Sequence, residues 1–200
     1  MNIAKRFFIT TLLLGMTSMA MAHPGHAVET GWLSGLLHPL TGLDHLLVIL
    51  SLGFWVYISR SRKSTKDVIV PLGLFSFMLL FGALLVTQTS LMVSTGYVEQ
   101  LILASVFIMG LLVVRKANFY RMLTMSIISG FALFHGMVHG LEMAGSSAFG
   151  YLAGFMTTSV LLMLLGLLTA HYCYRHGMLD RLAHVYSVVM LGSGAALLLA

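Results

Sequence analysis

The sequence predicts an all-α, polytopic membrane protein: six transmembrane helices after a cleavable signal peptide, with both mature termini periplasmic. Three observations carry that expectation. First, 58% of the 200 residues are hydrophobic and only 8% charged, with a mean hydropathy of +0.96, whereas soluble domains carry about 25% charged residues. Second, the apolar residues gather into long runs without the period-2 alternation of a membrane barrel. Third, the basic residues alternate between the loops that join those runs. A soluble enzyme, a disordered region and a nucleic-acid module are excluded. The net charge of +5 does not mark a nucleic-acid surface, because nine of the eleven Lys and Arg residues sit in three short clusters between apolar runs. The single cysteine, Cys173, excludes a disulfide framework, a CxxC redox pair and a thiolate zinc cage.

Residues 1–22 read as the signal peptide. Lys5 and Arg6 precede a short apolar stretch, and Ala20-Met21-Ala22 supplies the small-x-small pattern of a cleavage site. Residues 23–200 then form one transmembrane domain, which the export signal places in a bacterial inner membrane. Its apolar runs cover residues 33–58, 68–92, 98–114, 122–142, 148–170 and 183–200. About 20 helical residues cross the ~30 Å hydrocarbon core, so each run is expected to span. Arg60, Arg62, Lys63 and Lys66 follow the first run; Arg115, Lys116 and Arg121 follow the third; Arg175 and Arg181 follow the fifth. The intervening loops, 93–97 and 143–147, carry no Lys or Arg. The positive-inside rule therefore puts both ends of the mature chain outside. Gly130, Gly136, Gly140, Gly150 and Gly154 recur at four- or six-residue spacing and are expected at close helix contacts.

Ionisable groups inside a span are costly and mark functional positions by default. The acidic residues in or at the ends of the runs are Asp44, Glu99 and Glu142; His38, His45, His135 and His139 accompany them. Counting at the helical rise from the basic end of each run sets their depths. Asp44 and His45 lie about 21–23 Å up and His38 about 31 Å, Glu99 about 24 Å, His135 about 20 Å, His139 about 26 Å and Glu142 about 30 Å. All seven fall in the outer half of the bilayer, as a shared outward-opening polar pathway would require.

Two motifs contain most of these groups. In His38-Pro39-Leu40-Thr41-Gly42-Leu43-Asp44-His45, Pro39 and Gly42 predict a broken or late-starting helix. Irregular backbone at membrane depth survives only where protein buries it or a cavity is lined by it. Were the turn after Pro39 helical, Thr41 and His38 would share a face with His45, and Asp44 would point about 100° away to orient a ligand or bind directly. In Phe134-His135-Gly136-Met137-Val138-His139-Gly140-Leu141-Glu142, the spacing i, i+4, i+7 puts His135, His139 and Glu142 on one stripe. Imidazole nitrogen with carboxylate oxygen suits borderline divalent ions such as Ni²⁺, Co²⁺ and Zn²⁺. His23 and His26 are candidates for capturing the ion outside. His171, His176 and His184, among Arg175 and Arg181, read as interfacial residues, with an exit-side metal contact as the other reading.

The two motifs, the export signal, the six runs and Glu99 together resemble the HupE/UreJ family over essentially the whole chain. The resemblance implies uptake of nickel or cobalt for hydrogenase, urease or cobalamin needs. It makes His38, Asp44, His45, His135, His139 and Glu142 the metal-handling positions. The first motif is also similar to the HxxxxDH signature of larger nickel/cobalt permeases, but five residues, not four, separate His38 from Asp44 here.

The expected function is a secondary transporter or facilitator for Ni²⁺ or Co²⁺, not an enzyme, working in the lipid bilayer. No tightly bound cofactor, nucleic acid or nucleotide is expected, since no GxxxxGK[ST] occurs. A homo-oligomer or metal-enzyme maturation partners are the protein contacts to look for. Two rivals remain at this stage: an intramembrane zinc-dependent hydrolase and a non-transporting metal-binding accessory protein. The spread of candidate ligands over about 10 Å of depth favours passage over fixed catalysis.

Overall fold

The computed structural model describes residues 31–60, 64–89, 95–115, 121–142 and 148–199. The regular elements among these residues are all helices: α1 (Trp32–Thr41), α2 (Leu43–Ser59), α3 (Lys66–Gln88), α4 (Thr95–Arg115), α5 (Arg121–Glu142), α6 (Ala148–Arg175) and α7 (Leu179–Leu199). Three stretches, Lys66–Gln88, Met122–Leu141 and Ala148–Arg175, are long and apolar enough to cross a bilayer. The bent pair α1–α2 makes a fourth if it counts as one span, and Gln100–Val114 is a shorter apolar helix. The chain is an all-α, multi-pass membrane protein. The expected signal segment 1–22, with His23 and His26, lies outside the described residues.

The expected run at 33–58 divides. α1 ends at Thr41, Gly42 is extended, and α2 leaves at 83° to α1. Pro39, in the last turn of α1, has no N–H to continue the helix. The His38 carbonyl at the break is doubly paired. The Gly42 N–H and the Thr41 hydroxyl both donate to the His38 carbonyl, at 3.3 and 3.0 Å. The break expected from Pro39 and Gly42 is present, and Thr41 turns back to His38 rather than sharing a face with His45.

α2 is the central element. Its sequence is apolar on every side, which suits a helix enclosed by others, and every residue from 51 to 57 is buried. It packs on α6, α4, α3 and α1. It meets α7 through the stacked rings of Phe54 and Tyr186 and through Ser51 Oγ, which donates to Met190 Sδ at 2.8 Å. α2 and α6 run in the same direction: Gly53 faces Met163, and further along both helices Tyr57 Oη lies 3.1 Å from His171 Nδ1. α3 and α5 are also parallel, since Gly136 faces Leu79 and Gly140 faces Ala83. Lys66, Arg175 and Arg181 gather at the end where α2 stops, and there the Arg60 guanidinium lies 3.8 Å above the Tyr57 ring.

Helices in lipid gain no hydrophobic drive from touching one another, so close van der Waals approach must hold them. Reciprocal glycines permit it here. A Cβ at Gly53 would strike the Met163 carbonyl, and one at Gly166 the Leu50 carbonyl, which locks α2 to α6. Gly35 and Gly154 lock α1 to α6 against the carbonyls of Tyr151 and Trp32. Gly82 and Gly136 lock α3 to α5 against the carbonyls of Leu133 and Leu79. Of the glycines expected at contacts, Gly130 is not at one among the described residues, none of which lies within 4 Å of its Cβ position. Gly136→Leu is expected to lower the thermal unfolding midpoint in detergent sharply, overpacking of this kind costing about 1–3 kcal/mol or more. Gly73→Ala, with open space around it, should leave the midpoint unchanged. Equal midpoints for the two variants would refute the packing account.

Candidate metal site

The site lies where α2 and α6 begin and α5 ends. The break at Gly42 folds the last turn of α1 back beside the first turn of α2. His38 and His45, separated by one helical break, come to a ring-centroid distance of 5.4 Å with their planes at 86°. α5 brings His139 against both, at 4.6 Å from His38 and 4.8 Å from His45. One ligand nitrogen from each of these three residues lies within 4.8 Å of the other two. Nitrogens bound tetrahedrally to one ion at about 2.0–2.1 Å lie about 3.3–3.4 Å apart, so side-chain movements of about 1–1.5 Å would close the cluster on a divalent cation.

Asp44 orients this arrangement. His45 Nδ1 donates to Asp44 Oδ1 at 2.8 Å, which leaves His45 Nε2 to face His139 Nε2 at 2.9 Å. A carboxylate behind an imidazole fixes its tautomer and makes the other nitrogen a better ligand. Asp44 also stands in the first turn of α2, where the helix dipole favours a negative charge. Gly42 is needed for the contact itself, because a Cβ there would lie 2.8 Å from His45 Nδ1 and 3.0 Å from Asp44 Oδ1.

His135 stands one turn before His139 on the same face of α5. Its Nδ1 donates to the Phe131 carbonyl at 3.0 Å, and its ring is 5.2 Å from that of His45. Its Nε2 is buried and has no hydrogen-bond partner among the described residues. A lone pair held unpaired in the membrane interior is costly unless something is meant to occupy it. His139 is fully buried, His135 2% and His45 8% exposed. The Asp44 side chain, 25% exposed, is on the accessible side.

The structure thus brings His38, Asp44, His45, His135 and His139 together. Glu99 and Glu142 stand on α4 and α5, and their side chains lie outside the described residues. One expectation changes. His38 was placed about 10 Å beyond His45 on a straight helix; the 83° bend brings it alongside, so the described ligands form a cluster and not a graded ladder. The three other described histidines have neighbours at the basic end: His171 with Tyr57, His176 with its ring 4.3 Å from that of Tyr172 and tilted 44° to it, and His184 Nδ1 with the Asp180 carbonyl.

The motifs did not reveal α6. Phe155, fully buried, has its ring 4.4 Å from that of His139 and 5.9 Å from that of His38. The Tyr151 ring is 5.7 Å from His38. The Thr158 hydroxyl donates to the Leu36 carbonyl of α1 at 2.8 Å. The available signal was the stripe Tyr151, Phe155, Thr158, on one helical face beside Gly150 and Gly154.

Residues 11–197 match the family described as HupE / UreJ protein. The chain is 36% identical over 162 residues to Protein HupE of Rhizobium leguminosarum bv. viciae, covering 80% of this chain and 81% of that one. No solved structure matches. The family comprises permease-like accessory proteins associated with nickel and cobalt handling for hydrogenase and urease, and not enzymes, which sets the hydrolase reading aside. With its two histidine motifs assembled into one buried cluster, this chain belongs to the HupE/UreJ family.

Proposed function

We propose that the chain is a secondary transporter or facilitator that takes Ni²⁺ or Co²⁺ from the periplasm across the bacterial inner membrane. One observation supports this reading above the others: imidazoles from three separate helices converge on one buried point, with a carboxylate at the accessible edge. Three neutral imidazole nitrogens suit Ni²⁺ and Co²⁺ and have little attraction for Mg²⁺ or Ca²⁺, which prefer oxygen. The proposed topology has six spans after a cleaved signal peptide at residues 1–22, with both mature termini periplasmic. The cluster then faces outward and the end bearing Arg60, Lys66 and Arg175 faces the cytoplasm.

In this reading His23, His26 and Glu142 collect the ion at the mouth, with Glu99 contributing charge nearby. His38, His45 and His139 replace its hydration shell, and His135 Nε2 offers the next nitrogen. Inward release requires the His139 helix to part from the His38 and His45 helices. The glycine contacts are compatible with that, because α5 is locked to α3 whereas α1 and α2 are locked to α6. The membrane potential gives a divalent cation about 4.6 kcal/mol per 100 mV, twice the single-charge value, which suffices for accumulation without proton coupling. The delivered metal would serve metalloenzyme assembly.

Liposomes holding the purified protein test this directly. Ni²⁺ or Co²⁺ entry should rise with an inside-negative potential and fall at least tenfold in His139→Ala and Asp44→Asn, while His176→Ala stays near wild type. Tight binding without entry in wild type would replace transport with the accessory reading. Topology has its own check: a reporter fused after Lys63 should report the cytoplasm, and a periplasmic signal would invert the pathway.

A further inference from the structure

We propose that α6, which carries neither motif, is the positioning and selectivity wall of the metal site. Phe155 is its specificity-determining residue and Thr158 its positioning residue. The inference rests on the metal-uptake reading and adds residues that neither the histidine spacing nor the family resemblance assigned.

Phe155 is fully buried and lies against two of the three clustered imidazoles, His139 and His38. Tyr151, one turn earlier, stacks on Phe155 at 21° between the ring planes and closes the same side of His38. These rings put hydrocarbon against the α6 side of the clustered imidazoles. Asp44 and Gly42, beside the cluster, are partly exposed and give access to it. An ion entering from there meets nitrogen ligands in front and hydrocarbon behind, so it must give up water. The apolar shell around a metal site governs solvent access and local dielectric. Mg²⁺ sheds water reluctantly and takes oxygen ligands; Ni²⁺ and Co²⁺ recover the loss through imidazole.

Thr158 acts one turn further along. Its hydroxyl holds the Leu36 carbonyl at 2.8 Å, in the last stretch of α1 before Pro39 and two residues from His38. Gly35 and Gly154 let the two backbones touch beside it. This bond sets where α1 lies on α6, and through α1 it sets the position of His38. Thr158 touches no ligand nitrogen itself.

Purified full-length protein titrated with Co²⁺ and followed by visible absorption reads the coordination number, independently of transport. Wild type should give the intense d–d bands of a low-coordinate, nitrogen-rich site, and His139→Ala should lose them. Phe155→Ala should shift the spectrum to the weak bands of a six-coordinate, water-bearing ion. It should also reduce the preference for Ni²⁺ over Mg²⁺ about 10–100-fold, the range seen when groups surrounding a metal ligand are removed. Phe155→Leu, a milder change that keeps the helix contact filled, should fall between. Thr158→Val should resemble loss of His38, and Thr158→Ser should restore the wild-type spectrum. Wild-type spectra and metal preference in both Phe155 variants would overturn the selectivity role. A Thr158→Val spectrum equal to that of Thr158→Ser would overturn the positioning role. No Co²⁺ bands in wild type would overturn the metal-site reading itself, and this inference with it.

Discussion

The sharp bend of the chain at Gly42 is the constraint on which the metal site depends. A straight helix through this segment would hold His38 and His45 about two turns apart. The 83° bend sets their rings edge to face. Breaking a helix in lipid exposes backbone groups that no water can satisfy, each at a cost of several kcal/mol. Near the break, Thr41 and the Gly42 N–H converge on the His38 carbonyl, and Thr158 ties α1 to α6 through the Leu36 carbonyl. The absence of a side chain at Gly42 then leaves room for the Asp44–His45 hydrogen bond. Pro39, Thr41, Gly42 and Asp44 have separate tasks in one local structure.

Close helix approach carries the remainder of the architecture. Glycines placed opposite carbonyls let α6 hold both α1 and α2, and let α3 hold α5. The cluster forms where these two groups meet, so its ligands belong to bodies that are each rigidly packed. A site shared between packed units can open without unfolding either one, which is the usual requirement for access that alternates between two sides. The histidines serve both as ligands and as the contact between the units, since His45 and His139 touch directly.

The chemistry follows from putting imidazoles where water is scarce. Neutral nitrogen ligands can be buried at far lower cost than carboxylates. The one clustered carboxylate among the described side chains, Asp44, is at the accessible edge and partnered by His45. That division gives an ion an electrostatic reason to arrive and a nitrogen-rich place to lose its hydration shell. Phe155 and Tyr151 form the hydrocarbon back of that place.

Much of this was determined by the sequence alone. Composition and run length specify an all-α membrane chain, because few other structures satisfy their own backbone in lipid. The spacing of His135 and His139 puts both on the face that meets His45, because helical periodicity is a local property. Pro39 and Gly42 announced a break for the same local reason. The angle of that break was not legible, so the expected ladder of ligands became a cluster only in three dimensions. Nor was the part played by Phe155 and Thr158, since their stripe on one helical face does not say which neighbouring helix it meets. Those outcomes were decided by tertiary packing: which helices touch, and at what register, depends on glycines and carbonyls more than a hundred residues apart, as at Gly35 and Tyr151.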